Sequence, residues 1–402
     1  MNGHVFGAGV LVLVASLQAS AQTLPSGPFV LAGGHVAVGG DASASVAPQD
    51  PGFFNFTDYE HSALRTVRFD LSVSVTAGEH FTVLGGFQDE NFDSPRVYAL
   101  YVRIHPWTNR RFDVQIGRVP PTAGLFAHQT YATDNILIGY PLAYQYLTSL
   151  RPDALPASAD DLLRMRARGW ESSFPIGNQA PDRGVPLFSG FRWDTGVQVH
   201  AASDLLEVTA SVTTGTLSNP LVGDDNGGKQ IAGRAAIRPV TGLAIGASAA
   251  RGAFVSDAAA SAVPGGADAN AYTQTALGGD VEYSRDYFLV RVETVWSRWT
   301  LPPINEPLIN VPLRAFAVSL EGRYKLRPGL YAAARIDHLG FSDITGTAGS
   351  QSWEAPLSRV EIGGGYYLQR NLVLKLSYQY NTRDGGRQPT LGLPAAQLVY
   401  WF

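Results

Sequence analysis

The stretch Leu372-Val-Leu-Lys-Leu-Ser-Tyr-Gln-Tyr380 decides how this chain folds. Its even positions are all large and apolar or aromatic, whereas Lys375, Ser377 and Gln379 occupy odd ones. Successive side chains of an extended strand point to opposite faces, so the stretch reads as a strand with one apolar and one hydrophilic face. The same alternation recurs over 67–75, 81–87, 100–105, 112–116, 193–200, 206–213, 288–296, 316–324 and 360–368. Ala- and Gly-rich versions cover 29–40, 231–238, 243–250, 277–283, 330–339 and 396–402. Together they make about sixteen strands. Helical periodicity is nearly absent.

The connections sharpen this reading. Short turns rich in Gly, Asn, Asp and Pro fall at Gly78-Glu79, Thr108-Asn-Arg110, Ser203-Asp204, Thr241-Gly242, Arg285-Asp286, Arg327-Pro-Gly329 and Gln369-Arg-Asn371. They alternate with longer segments over 41–63, 91–95, 120–190, 217–228, 252–271, 301–312, 342–352 and 382–394. Short and long connections would therefore collect at opposite ends of an antiparallel array. A soluble sandwich has no reason to segregate them, whereas a transmembrane barrel does. Aromatic residues support the barrel. Phe112, Tyr283, Phe288, Tyr324 and Tyr366 stand beside short turns, and Trp193, Trp296 and Tyr380 near the long loops, all with apolar parity, as two interfacial girdles would.

Composition agrees. The 402 residues include no Cys, which excludes disulfides, thiolate metal sites and a Cys nucleophile. A net charge of -4, from 30 Lys+Arg against 34 Asp+Glu, argues against a nucleic-acid partner. Val5 to Leu17 is apolar but too short to span a bilayer, and Ala19-Ser-Ala21 follows it as a small-residue cleavage site. Residues 1–21 thus read as a secretory signal peptide, and 22–402 as one barrel domain.

The chain ends Gln397-Leu-Val-Tyr-Trp-Phe402, with Leu398, Tyr400 and Phe402 on one face. This end resembles the last strand of Gram-negative outer-membrane barrels, and the whole mature chain resembles the porins. The resemblance implies residence in the outer membrane, against its lipid. It also implies insertion by the barrel assembly machinery through Leu398, Tyr400 and Phe402, a homotrimer, and passive diffusion of small hydrophilic solutes or ions. Phosphate-selective porins share the architecture but have a Lys-rich lumen, whereas only Lys229, Lys325 and Lys375 occur here.

Parity assigns the channel-lining side chains. Arg68, Arg103, Arg234, Arg238, Arg291, Arg323, Arg335, Arg359 and Lys375 are the basic ones. Asp70, Asp113, Asp194, Glu207, Asp280, Glu282, Glu293, Glu321, Asp337 and Glu361 are the acidic ones, and His105 and His200 share their face. An Arg or Lys facing lipid at the midplane would cost about 2–4 kcal/mol, so these residues must face water or protein. Opposite charges two apart recur at Arg68/Asp70, Arg291/Glu293, Glu321/Arg323, Arg335/Asp337 and Arg359/Glu361. Two readings stand: a transverse field across a pore, or a ladder of ion pairs bracing the wall. The near balance of signs predicts weak ion selectivity.

The segment 120–190 is the third long loop, and in general porins the third loop folds into the barrel. Leu125-Phe126, Ile136-Leu-Ile138 and Tyr140-Pro-Leu-Ala-Tyr144 are too apolar to be wholly solvated. Ser158-Ala-Asp-Asp161 reads as a capping box opening a helix that stops at Gly169. Arg118, Arg151, Arg164, Arg166 and Arg168 are expected to supply the constriction, with an external cap as the alternative, and removal of 155–185 is expected to widen the pore. The His residues show no metal-ligand spacing, and there is no Gly-rich phosphate loop or Gly-x-Ser-x-Gly elbow. The reading is therefore a channel without cofactor or enzymatic activity. Its competitors are an outer-membrane barrel enzyme and a non-conducting adhesin or receptor barrel.

Overall fold

The computed structural model describes residues 27–402 apart from 57–60, 94, 108–110 and 130. The expected signal peptide and the expected turn at Thr108-Asn-Arg110 lie outside the described residues. In chain order the barrel strands are β1 (Val36–Val46), β2 (Val67–Ala77), β3 (Phe81–Glu90), β4 (Arg96–Ile104), β5 (Phe112–Val119), β6 (Asp194–Ala202), β7 (Leu206–Thr213) and β8 (Gln230–Val240). They continue as β9 (Leu243–Ala253), β10 (Thr273–Arg285), β11 (Phe288–Trp299), β12 (Leu313–Arg327), β13 (Leu330–Phe341), β14 (Leu357–Gln369), β15 (Leu372–Arg383) and β16 (Thr390–Trp401).

Each strand pairs antiparallel with the next, and β16 returns to β1, from Asp41 opposite Trp401 to Val46 opposite Ala396. The rest of that edge of β1 pairs with Phe29–Leu31, which sets Phe29 against Val38 and Leu31 against Val36. At the seam the Gly40 and Phe402 backbones exchange two hydrogen bonds of 3.0 Å. A Cβ on Gly40 would lie 2.3 Å from the Asp70 carbonyl oxygen, so only glycine permits this approach. Closure is required because an open strand edge in hydrocarbon would leave N–H and C=O groups without partners.

Seven short connections lie at one end, with the start of β1 and the end of β16, and eight connections, most of them long, at the other. The alternation read from sequence survives as orientation: on β15, Leu376, Tyr378 and Tyr380 are exposed on the outer face, while Lys375, Ser377 and Gln379 are buried inside. Tyr283, Phe288, Tyr324, Tyr366, Trp296 and Tyr380 stand exposed on that outer face. Trp193 is a correction: it precedes β6, is 1% exposed, and packs inside against Tyr98 and Tyr101. The first strand is another, since β1 runs to Val46 rather than ending at Gly40. Its Ala42 and Ala44 face outward while Asp41, Ser43 and Ser45 are buried, so the alternation persists in residues too small to stand out.

The largest apolar cluster is not in the wall but at the loop end. Phe54, Tyr144, Phe174, Phe188, Phe254, Leu301 and Trp353 come from five different loops and pack with the strand-end residue Trp299. Trp353 meets Trp299 edge-on at 5.9 Å and Phe341 at 4.9 Å. These loops form a cap with its own core.

Leu376→Arg is expected to destabilise the barrel in lipid vesicles by about 2–4 kcal/mol, whereas Leu376→Ile should be nearly neutral. Reversible denaturant titration of the vesicle-embedded protein measures both.

Candidate channel and constriction

Sixteen strands enclose more space than their own inward side chains fill. Residues 120–146 enter it. This stretch opens the segment 120–193 between β5 and β6 and crosses the lumen with its apolar groups buried: Tyr131, Ile136, Leu137, Ile138, Tyr140, Leu142 and Tyr144 are at most 6% exposed. A chain with only short helical turns, at Phe126–His128, Ala132–Asp134 and Leu142–Gln145, has many backbone groups left to satisfy inside a barrel. The wall supplies the partners. Glu293 accepts from the Leu125 and Phe126 backbone N–H groups and from the Tyr144 hydroxyl. Glu361 accepts from Gly139 N–H at 3.0 Å, and Asp41 from Thr133 N–H at 3.2 Å. Lys375 donates to the Ala132 and Asn135 carbonyls, and Arg359 to those of Tyr140 and Phe54. Arg68 donates to the Tyr140 hydroxyl at 3.0 Å, and Tyr331 to the Ile136 carbonyl at 3.1 Å. Opposite these, Thr122 donates to Ser211, and Ser248 accepts from Gly124 N–H.

All seventeen expected lining residues Arg68, Asp70, Arg103, Asp113, Arg234, Arg238, Asp280, Glu282, Arg291, Glu293, Glu321, Arg323, Arg335, Asp337, Arg359, Glu361 and Lys375 lie on inward-facing strand positions. Twelve of them form two contrasting sets, and the other five, Asp113, Asp280, Glu293, Glu321 and Lys375, are 2–8% exposed. Arg68, Asp70, Arg335, Asp337, Arg359 and Glu361 are 0–2% exposed, so they do not line open water. They are covered by the inserted chain and by one another, because an ionised group is a strong partner for an otherwise unpaired buried backbone group. Arg103, Arg234, Arg238, Glu282, Arg291 and Arg323 keep partial exposure toward the short-turn end. There a cavity of about 510 Å³ lies under the inserted chain, lined by Glu282, Arg291, Arg323 and Lys375 together with Asp134, Tyr331, Tyr367 and Trp401.

The pairing differs from the expected one. Only Arg68–Asp70 at 2.7 Å and Arg335–Asp337 at 3.0 Å form within a strand. Arg291 instead bridges Glu282 at 2.7 Å and Glu321 at 3.3 Å, and Arg335 also reaches Glu321 and Glu361. Arg323 lies over the Tyr331 ring and Arg359 donates to Asn381. Arg234 pairs with Asp280, Arg238 with Glu207, and His200 lies between Asp113 and Glu207. For pairs on adjacent strands the reason is spacing: residues two apart on a strand are separated by about 6.6 Å, whereas cross-strand neighbours stand about 5 Å apart. Arg234 instead reaches Asp280 across β9, where Gly246 leaves the room.

The expected constriction arginines need correction. Arg118 lies on the outward parity of β5 and donates to the Trp193 and Val97 carbonyls. Arg151 is buried in the cap, bonded to Asp153 and to the Ser172 and Ala180 carbonyls. Arg164 pairs with Asp161, Arg166 with Asp384, and Arg168 is exposed at the mouth. The segment 155–185 thus belongs to the cap, and the crossing is made by 120–146. The helix there runs Ala159–Arg164, with the Ser158 side chain accepting from Asp161 N–H, and ends at Met165 rather than Gly169. Sequence reading overlooked Asp41, Ser211, Ser248 and the Gln198 amide, which donates to the Pro120 carbonyl. The inward parity of Ser211, Ser248 and Gln198 was available, but attention to charge passes over them, whereas Asp41 fell in the segment read as a loop.

Desolvation by the protein packed around it raises the Asp134 carboxyl above its ordinary range, although the residue opens onto the lower cavity, and nearby Lys375 opposes the shift. Burial also raises the Tyr144 hydroxyl well above its usual value, an effect that neighbouring Glu293 strengthens. Among the described residues no cluster of His, Asp or Glu is arranged to hold a metal ion.

Solved structures share this architecture. An anion-selective porin from Comamonas acidovorans is 10% identical, with 91% of this chain and 99% of that one covered at a TM-score of 0.56. OmpT of Vibrio cholerae, an outer-membrane protein, is 12% identical over 93% and 100% of the two chains at 0.53. OmpF of Salmonella typhi, in complex with daunomycin, is 12% identical over 91% and 97% at 0.50. No protein-family model and no curated protein matches the sequence. The likeness establishes the fold, a closed sixteen-stranded porin-like barrel.

Two outcomes follow from the anchors. Glu293→Ala should strip three donors of their acceptor and weaken protection of the Leu125 and Phe126 amides by about 2 kcal/mol or more, read by hydrogen exchange. For Asp134, a raised value in the folded loop means that the charged form is disfavoured there. Its penalty is absent below about pH 4 and grows as pH rises through the raised value. Asp134→Asn should therefore flatten the fall in loop protection with rising pH.

Proposed function

We propose that this porin-like barrel resides in the outer membrane and conducts small hydrophilic solutes, with residues 120–146 as its constriction. One observation carries the reading: below the inserted chain the barrel keeps a cavity walled by charged and hydroxyl-bearing groups rather than an apolar core. A barrel with only an anchoring role gains nothing from such an interior, since desolvating charge is costly. The wall charges neutralise one another locally, so the wall itself exerts little preference for the sign of the solute. The signal peptide at 1–21 and the aromatic terminus with Leu398, Tyr400 and Phe402 fit export and insertion by the barrel assembly machinery, and a homotrimer fits the porin-like fold.

The reading is a channel rather than an enzyme. The arrangement closest to a catalytic one, Asp113–His200–Glu207, has both carboxylates engaged by arginines, Arg103 at 3.8 Å and Arg238 at 2.6 Å. A second reading, a non-conducting receptor or adhesin barrel, draws on the unbroken burial of the crossing chain from Asn135 to Tyr146.

Planar-bilayer recording separates the two. The native chain should give small, well-defined conductance steps with a reversal potential near zero. Replacing 126–141 by a Gly/Ser chain of equal length, which removes the buried Tyr131, Ile136, Leu137, Ile138 and Tyr140 side chains, should enlarge the steps severalfold. Absence of conductance in both proteins would establish the non-conducting barrel.

A further inference from the structure

We infer that the loop-side mouth holds a capture site for small oxyanionic solutes, those carrying phosphate or several carboxylates. Arg164, Arg166 and Arg168 from the third loop converge with Arg383, at the end of β15, and Arg387, in the loop that follows, on one cavity of about 380 Å³. No Asp or Glu lines it.

The five guanidinium groups are not equally engaged. Asp384 holds Arg166 at 2.6 Å and Asp161 holds Arg164 at 2.9 Å. Arg383 is buried and donates to the Gly52 and Gly385 carbonyls. Arg168 and Arg387 remain exposed, with Arg387 set 5.0 Å over the Trp170 ring. Like charges gathered around a cavity repel, and an anion placed among them converts repulsion into charge-assisted hydrogen bonds. Guanidinium forks suit the paired oxygens of phosphate and carboxylate.

The cradle is built at a cost in backbone conformation. Ala167, between two of the arginines, has φ +61°, and Phe53 on the opposite lip has φ +53°, both in the left-handed region that non-glycine residues avoid. Each is held in place. The Ala167 N–H donates to buried Glu354 at 2.6 Å, which also accepts from the Ser149 and Ala355 N–H groups. Phe53 stacks on Trp170 at 4.0 Å, with their planes 9° apart. Gly386 completes the fit, since a Cβ there would lie 2.6 Å from the Arg383 guanidinium and 2.9 Å from Ala167. Strain maintained by surrounding contacts at a charged cavity marks a functional site.

The cavity lies among the loops over the barrel mouth, and its Arg383 stands at an inward-facing strand position. Lipid headgroups would lie against the outer face, so a diffusing solute is the occupant. Such a site concentrates anionic solutes at the mouth, while the wall below it stays neutral. The inference rests on the channel reading only for what happens after capture, and binding can be measured without any conductance.

The experiment is isothermal titration of the folded full chain in neutral detergent with inorganic phosphate, with citrate, and separately with lipopolysaccharide. Wild type should bind phosphate and citrate saturably, and the double variant R168Q/R387Q should bind at least about tenfold more weakly, from the loss of two charge-assisted contacts. Both side chains are exposed, so the variant should keep the native circular dichroism spectrum and melting point. A second variant, R168K/R387K, keeps the charge and should recover part of the affinity. Equal affinity in wild type and R168Q/R387Q, or no saturable binding of either small anion, would overturn the site. Binding of lipopolysaccharide alone, lost in the double variant, would overturn the solute assignment in favour of a lipid headgroup.

Discussion

Every level of this structure answers to one constraint: a backbone N–H or C=O removed from water must find a partner. In the wall the partners are neighbouring strands, and the constraint is met only when β16 closes on β1. The Gly40–Phe402 exchange and the Phe29–Leu31 segment show how fully that last edge is used. In the lumen no strand is available to the crossing chain, and the same requirement is met by ionised side chains reaching in from the wall.

This changes what the interior charges do. Glu293, Glu361, Lys375 and Arg359 face inward as channel charges would, yet each is engaged by the backbone of the crossing chain. Around them Arg335 ties Glu321, Asp337 and Glu361 into one network spanning β12 to β14. Of the two readings open at the sequence level, the bracing ladder describes this covered set. The partly exposed residues around the lower cavity keep the character of a pore lining, though they too are mutually paired. Positive charge collects instead at the mouth, where five arginines and no Asp or Glu line one cavity.

The barrel was legible because lipid imposes a local rule. Each lipid-facing position must be apolar whatever its distant neighbours, so period-two alternation over nine residues around Lys375 already reports the environment. Where the rule is written in small residues, as at Ala42 and Ala44 in β1, the signal fades and the boundary was misplaced. The site was less legible. Parity placed Arg291 inside but could not choose Glu282 and Glu321 over Glu293, because the choice depends on cross-strand register. Likewise, the apolar content of 120–146 announced burial, while the arginines of 151–168 gave no sign that they belong to the cap.

The sequence by itself determined the strand count, the facing of most strand residues, the division of connections between two ends and the burial of an apolar loop. These follow from interactions with solvent or lipid, which each residue meets independently. Only the tertiary structure decided which charges pair, which stretch of the loop crosses the lumen, and that arginines from two separate loops meet at one cavity. Those outcomes depend on distances between residues 218 and 222 positions apart in the chain, such as Arg166 and Asp384 or Gly139 and Glu361. Such distances exist only once the barrel has closed.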